Sequence, residues 1–331
     1  MIEAIFFFIL GSMIGSFLNV CIVRLPQEKS VVFPSSHCPK CQKPIAWYDN
    51  IPLISWLVLG GRCRHCKGRV AFRYWMVELL TATIFLVFYY YFGAIEILPA
   101  YLVMVSCFII ATFVDLEHRI IPDEVSIGGM LAGLVLSVLI PQLHPSSENL
   151  LIGGFIAGFL VLLCLFLEWI YPFFCKHLMD PQEQHDDKPL KILILVSLVV
   201  IYMINARIIQ GPPLLNSHLH SLACSMAGFI IGGGSIYAMG LLGDIIFRKE
   251  SMGGGDVKLM AMIGAFLGWK IALLSFFIAP FFGGVVGIIE KIRTKESTIA
   301  YGPFIVLGAL VSMFWGNYII EWILAGGIYH L

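Results

Sequence analysis

Long stretches without a single Asp, Glu, Lys or Arg recur along this chain, and they constrain its fold more than any other feature. Ala4–Val23 is the first, twenty residues of uncharged sequence. A run of about 20 apolar residues spans the hydrocarbon of a bilayer. In lipid, the backbone must satisfy its own hydrogen bonds, which leaves helices or closed barrels. Unbroken apolar runs, rather than alternating ones, select the helix. Hydrophobic residues make up 59% of the 331 and charged residues only 13%, about half the share usual in a soluble domain. The expected fold is an all-α polytopic membrane protein whose constant partner is the lipid bilayer. Net charge is zero, so no bulk attraction to nucleic acid is expected.

The placement of charge gives a topology. Arg24–Arg73 carries nine Lys/Arg against Glu28 and Asp49, a balance of +7. The positive-inside rule puts this loop in the cytoplasm and the N-terminus on the opposite side. Met1-Ile2-Glu3 has no positive n-region, so the first run reads as a retained span. About ten spans are then expected: Ala4–Val23, Trp75–Ile95, Leu98–Val114, Val125–Ile140, Leu150–Tyr171, Leu190–Ile209, Leu222–Ile246, Val257–Trp269, Ile271–Ile289 and Gly302–Ile320. Every clearly basic loop agrees with that orientation. Small residues in G-S-M-I-G-S (Gly11–Ser16) allow a neighbouring helix to approach closely. No strong internal repeat is evident.

Cys38-Pro-Lys-Cys41 and Cys63-Arg-His-Cys66 stand 21 residues apart in the polar loop. Two C-x-x-C pairs at such spacing suit a tetrahedral four-sulfur zinc site formed by Cys38, Cys41, Cys63 and Cys66. Such a site is closed, so the metal is structural. A loop of about 50 residues has too little core of its own, and metal binding supplies the missing stability. His37 and His65 are read as surface residues.

Two acids stand at the edges of apolar runs. Asp115 ends Leu98–Val114 and opens D-L-E-H-R-I-I-P-D; Asp256 closes G-G-G-D (Gly253–Asp256). An acid at a membrane edge is costly and marks function by default. Both fall on the cytoplasmic side of the expected topology, which invites a paired-carboxylate reading with one partner protonated and one ionised. The glycine run suggests backbone that bends or comes close to another chain. Asp123, after Pro122, is a helix N-cap first and a catalytic candidate second. Asp244, Glu78 and Glu168 rank lower. Glu78 is expected to pair with an Arg of the cysteine loop, and Lys258 to favour the ionised form of one carboxylate.

The motifs G-S-F-L-N-V-C-I-V-R-L-P (Gly15–Pro26), C-P-K-C, I-A-W-Y-D-N-I-P-L-I-S-W-L (Ile45–Leu57), G-R-C-R-H-C (Gly61–Cys66), R-Y-W-M-V-E (Arg73–Glu78), D-L-E-H-R-I-I-P-D and M-G-G-G-D-V-K-L (Met252–Leu259) occur in this order. In combination they resemble the bacterial type IV prepilin peptidases, bifunctional leader peptidases and N-methyltransferases of the inner membrane. The resemblance implies that Asp115 and Asp256 are the catalytic aspartates of an aspartic endopeptidase. It implies cleavage after a glycine in the leader of prepilins and pseudopilins at the cytoplasmic membrane edge. It further implies methylation of the new N-terminus from S-adenosyl-L-methionine, with the zinc loop associated with that step. The family commonly has eight spans, so the surplus falls between about 144 and 221. It often has R-Y-P and I-P-F-G-P where this chain reads R-Y-W (Arg73–Trp75) and I-A-Y-G-P (Ile299–Pro303).

The expected organisation is a first span (1–23), a cytoplasmic Cys₄ zinc loop (24–74), helices carrying the first catalytic Asp (75–141), an inserted region with two extra helices (142–221), and a peptidase core with G-G-G-D (222–331). The alternative is a zinc-stabilised membrane transporter whose Asp pair carries protons.

Overall fold

The fold is described from a computed structural model, which describes residues 2–144, 150–174, 213–248, 251–294 and 300–324, with positions 198 and 202. Among these residues the secondary structure is helical, with only two isolated β-bridges. The helices are α1 Ile2–Arg24, α2 Ile54–Val58, α3 Phe72–Phe92, α4 Leu98–His118, α5 Asp123–Leu139, α6 Leu150–Phe174, α7 Pro213–Phe247, α8 Gly254–Thr294 and α9 Gly302–Leu324. The chain divides into two compact units, Met1–Pro122 and Asp123–Leu331, and each is described by itself.

In the first unit α1, α3 and α4 pack on one another. The contact between α1 and α3 depends on the absence of side chains. A Cβ on Gly11 would lie 2.7 Å from Ala82 Cα, and one on Gly15 would lie 2.8 Å from Glu78 Cα. The two glycines are four residues apart and so share one face. The small-residue stretch in α1 therefore works as a helix-packing seam.

The second unit is built around α7 and the first arm of α8, where glycine brings backbone against backbone. A Cβ on Gly228 would fall 2.1 Å from Gly264 O, and one on Gly264 would fall 1.9 Å from Gly228 O. Gly232, one turn along, faces Met260 O in the same way at 2.4 Å. Ser225 Oγ donates to Ala265 O at 2.6 Å, and buried His144 contributes Nε2 to the same carbonyl at 3.2 Å. Helix α9 packs on the second arm of α8, with Gly308 set against Ser275 and Ala279.

Seven helices among the described residues are long and apolar enough to cross a membrane, where the sequence reading expected ten spans. Three departures account for the difference. Leu190–Ile209 lies outside the described residues apart from positions 198 and 202, as does about half of the expected insertion, whose first extra helix is α6. Helix α5 has 17 residues, about 25 Å at 1.5 Å per residue, slightly short of a full hydrocarbon core. The expected spans Val257–Trp269 and Ile271–Ile289 form one 41-residue element, α8, whose backbone leaves helical geometry at Gly268 (φ 77°, ψ 173°). An unbroken helix of that length would reach about 60 Å, twice the hydrocarbon thickness. Only glycine adopts this conformation readily, so Gly268 divides the element one residue before the expected end of the earlier span.

Candidate functional site

The cysteine loop is built from two copies of one turn. In the first, Cys38 N–H donates to Lys43 O at 3.0 Å, Gln42 N–H donates to Cys38 O at 2.9 Å, Gln42 is left-handed (φ 57°), and His37 bridges Pro44. In the second, Cys63 N–H donates to Gly68 O at 2.9 Å, Lys67 N–H donates to Cys63 O at 3.0 Å, Lys67 is left-handed (φ 55°), and Arg62 bridges Arg69. Every element of the second copy lies 25 residues after its counterpart. The sequence reading found no strong repeat and missed this one. Its signal was the matching of the residues that follow each C-x-x-C, rather than the cysteines alone.

The two turns bring four free thiols together. The sulfurs of Cys38, Cys41, Cys63 and Cys66 all lie within 4.8 Å of one another. Cys38 and Cys66 are 3.8 Å apart. Four Zn–S bonds of about 2.3 Å in a tetrahedron require sulfur separations of about 3.8 Å, so the donor set fits zinc. Backbone N–H groups of Cys41 and Lys40 push the Cys38 thiol down to about 6. Those of Cys66 and His65 lower Cys63. Both effects favour the thiolate that a metal requires, whereas Cys66, despite its backbone bond with Gly68, is pushed up to about 11 by burial and by the three facing thiols. Neither His37 nor His65 belongs to the cluster. Between the turns, Asp49 is gripped by Arg64, whose Nε and Nη2 donate to its carboxylate at 2.6–3.0 Å. That ion pair holds the Asp49 carboxyl below its ordinary range.

Glu78 fastens the loop to the helices. Its Oε2 accepts the backbone N–H of Leu53 at 2.8 Å, where an Arg of the loop was expected. Leu53 sits in a strained conformation (φ 62°, ψ −51°), and its amide would otherwise be left without a partner in a turn that cannot supply one. Arg73 pairs instead with Glu117.

Asp115 is in the last turn of α4 and is 6% exposed. It is the last buried position before the exposed run 116–120. Its carbonyl accepts the N–H of Arg119, whose left-handed backbone closes the helix. Asp256 is in the first turn of α8, half-buried, three residues ahead of the wholly buried stretch 259–269. Its N–H donates to Gly253 O at 3.1 Å. Both acids therefore occupy helix ends at a buried-to-exposed boundary. They belong to different units, Asp115 to the first and Asp256 to the second.

Among the described residues, no neighbouring element crowds Gly253 or Gly254. A Cβ on Gly254 would meet nothing within 4 Å, and one on Gly253 only Asp256 Oδ2 at 3.9 Å. The close backbone approach lies instead at Gly228 and Gly264. Gly253 and Gly254 leave the surface at the start of α8 bare. Tyr301, just outside α9, is near Asp256; burial first, and the charge of Asp256 second, push its phenol up to about 12. Lys258 pairs with Asp123 at 2.7 Å rather than with either candidate acid. Asp123 is the first residue of α5, in keeping with a helix-start role. Asp244 Oδ1 accepts both the N–H and the hydroxyl of Ser251 at 2.7 Å, closing the turn between α7 and α8. Glu168 accepts the Tyr237 hydroxyl at 2.8 Å and ties α6 to α7.

Comparison with known proteins matches two family models. Residues 9–92 match the bacterial peptidase A24 N-terminal domain. Residues 102–174 and 187–288, together more than half of the chain, match the type IV leader peptidase family. A prepilin leader peptidase/N-methyltransferase of Myxococcus xanthus (strain DK1622) is 32% identical over 295 residues; the match covers 89% of this chain and 65% of that relative's own length. Proteins of the same name from Aeromonas salmonicida (strain A449) and Pseudomonas aeruginosa are 26% and 25% identical, with 96% and 94% of this chain and 92% and 90% of theirs covered. No solved structure matches. With four clustered thiols in the N-terminal region and two membrane-edge aspartates in the segments matched by the second model, the chain belongs to the type IV leader peptidase family.

Proposed function

We propose that this chain is a multi-pass enzyme of the bacterial inner membrane. It removes the leader from type IV prepilins and pseudopilins after a glycine, and then methylates the new N-terminus. The observation that carries the reading is the match of 102–174 and 187–288 to the type IV leader peptidase family, because those segments contain both Asp115 and Asp256.

Peptide hydrolysis by two carboxylates needs them in different protonation states. One takes a proton from water while the other, protonated, donates a hydrogen bond to the scissile carbonyl. The departing amine takes up a proton as the C–N bond breaks. The roles belong to the pair and are not divided between Asp115 and Asp256. In this reading the bare glycine surface beside Asp256 leaves room for an extended substrate backbone. A prepilin presents a basic leader followed by an apolar helix, and its scissile bond lies where lipid meets water. Acids at a burial boundary suit that position. The loop's charge of +7 opposes a basic leader, so recognition of the leader is local.

The four thiolates hold zinc as a structural ion. S-adenosylmethionine, when bound, supplies an electrophilic methyl group. The chain holds this donor and presents the new amine in its neutral form. The zinc loop and active site face the cytoplasm, with the N-terminus outside.

The test is cleavage of a purified prepilin in detergent, read by mass, for wild type and for Asp115→Asn and Asp256→Asn. Loss of the leader in wild type alone, with one added methyl when S-adenosylmethionine is supplied, is the expected result. Cleavage that survives both substitutions overturns the assignment of the pair.

A further inference from the structure

Within the basic cysteine loop, Asn50–Gly61 runs for twelve residues without a charge, and helix α2 lies inside that run. One side of α2 packs on α3: the Trp56 ring centroid stands 5.6 Å from that of Phe72 and 6.0 Å from that of Trp75. The other side is bare. Ile54, Leu57 and Val58 are 59%, 59% and 75% exposed, and their i, i+3, i+4 spacing gathers them on one face, away from Trp56. The seat of this face is set by α3, a candidate membrane span of 21 residues, about 31 Å long and so matched to the hydrocarbon thickness. Glu78, about 9 Å along that helix from Phe72, accepts the Leu53 N–H at 2.8 Å. The residue that opens α2 is therefore fastened to the second turn of a span. Beside it, Phe72, Met76 and Leu80 are exposed at four-residue intervals on α3, the row that such a span turns to lipid.

Positive charge adjoins this face. Arg62 and Arg69 oppose one another in an isolated antiparallel bridge, and both are exposed. Gly61 couples the bridge to α2: its N–H donates to Trp56 O, and its carbonyl accepts the N–H of Val70, each at 2.8 Å. Like charges placed opposite one another across strands repel. Among the described residues neither arginine has an ion pair, and of the loop's two acids Asp49 is taken by Arg64. Zinc held by four thiolates carries a net charge of about −2, too little to cancel the loop's +7. An uncompensated guanidinium pair next to an apolar face calls for an occupant that is anionic at its head and apolar in its tail.

We propose that α2 is seated in the lipid–water boundary of the leaflet that α3 enters, with Ile54, Leu57 and Val58 among the acyl chains and Arg62 and Arg69 on the phosphate of an anionic phospholipid. The cysteine loop is thus a membrane-surface module rather than a domain held clear in water. Apolar faces of this kind bind by the area they bury and by the attraction of neighbouring Lys/Arg to acidic headgroups. The inference needs only α3 as a membrane span and does not depend on the reaction proposed above.

The experiment is photo-crosslinking of the full-length protein in nanodiscs of phosphatidylcholine mixed with phosphatidylglycerol. The photoreactive residue p-benzoylphenylalanine stands in place of Leu57, of Val58, or of Leu80 on the lipid-facing row of α3 as the positive control. Leu57 and Val58 are exposed, so the replacements leave the packed helices and prepilin cleavage unchanged. After irradiation the protein mass is read. The expected result is the addition of one phospholipid at all three positions. At 57 and 58 phosphatidylglycerol is enriched among the adducts over its share of the bilayer. Arg62→Gln and Arg69→Gln each lower that enrichment, by up to about fivefold for an arginine at an anionic surface, while adducts with phosphatidylcholine persist. An adduct at Leu80 with none at 57 or 58 overturns the proposal, because the face then stands in water. Crosslinked dimers at 57 and 58 overturn it in favour of a second copy of the chain. Enrichment that both Gln variants leave intact overturns the headgroup assignment. No adduct even at Leu80 overturns the inference together with the span on which it rests.

Discussion

Single atoms set the tolerance of this molecule at its glycines. Gly264 is the sharpest case, because a methyl group there would sit 1.9 Å from a backbone oxygen of α7. Backbone cannot rotate away as a side chain would, so the two helices must separate along the buried seam 259–269. Gly264→Ala is expected to destabilise the protein by at least the ~1–3 kcal/mol typical of overpacking, read as a lower unfolding temperature in detergent. Gly158 on α6 is the control, since a Cβ there meets nothing within 4 Å. Gly158→Ala is expected to stabilise by about 0.5–1 kcal/mol, the usual advantage of Ala over Gly inside a helix. Opposite signs from one substitution type would establish that packing, not helix propensity, placed these glycines. The sequence reading directed attention to Gly253–Gly255, because three adjacent glycines stand out in one dimension. Gly228 and Gly264 are ordinary in sequence and become special only when their helices cross. Four-residue spacing made the α1 seam legible, whereas the α7–α8 contact depended on which of 32 glycines face each other.

Elements were legible in proportion to how local their causes are. The apolar runs announced the helices, and paired C-x-x-C spacing announced a thiol cluster, since both signals lie within short windows. The break at Gly268 was placed to within one residue because a trio of Gly, Trp and Lys interrupts the apolar run. Partner choice was not legible: Glu78 serves the amide of Leu53 and Lys258 serves Asp123, and each depends on a fold that brings distant residues together. The cysteine loop carries a prediction of its own. Its backbone hydrogen bonds run mostly within each turn, so without metal the two thiol turns are tied to each other only through the Asp49–Arg64 side of the loop, while the Leu53–Glu78 bond and the Trp56 ring contacts hold its remainder to α3. A strong chelator, or Cys63→Ser, is expected to unfold the loop, seen as protease cutting between 24 and 73, and to abolish methyl transfer. Its pH dependence has a clear direction: Cys38 is pushed down to about 6 and Cys63 is also lowered, whereas Cys66 is pushed up to about 11. Zinc needs all four as thiolates, so protons compete with it and zinc retention is expected to fall as pH drops, measured by release to a colorimetric chelator.

At the scale of the whole molecule, each unit carries one of the two candidate acids. Asp115 is the last buried residue of a helix that ends, and Asp256 lies just ahead of the buried stretch of a helix that begins. The sequence signal was the same in both, an acid at the rim of an uncharged run, which lipid makes costly and therefore selective. If the two carboxylates act as one proton-sharing pair, neither has a partial function to lose separately. Asp115→Asn and Asp256→Asn are each expected to lower the rate of leader removal by roughly 10²–10⁴-fold or more, the contribution of a positioned acid or base. The double variant is expected to be no slower than either single one, because groups that work as a unit are grossly non-additive. A transporter with two proton-carrying acids predicts otherwise: transport would fail in the variants, and no leader would be cut even by the intact protein. Rates multiplying across the double variant would instead show two independent contributions, with the pair dissolved into separate roles for Asp115 and Asp256. The comparison needs only single-turnover cleavage of one prepilin by four proteins at one pH, with methyl transfer to a pre-cleaved pilin as the folding control. That second activity is expected to survive all three variants, because the proposed methyl transfer is assigned to the cysteine loop and neither aspartate lies in it.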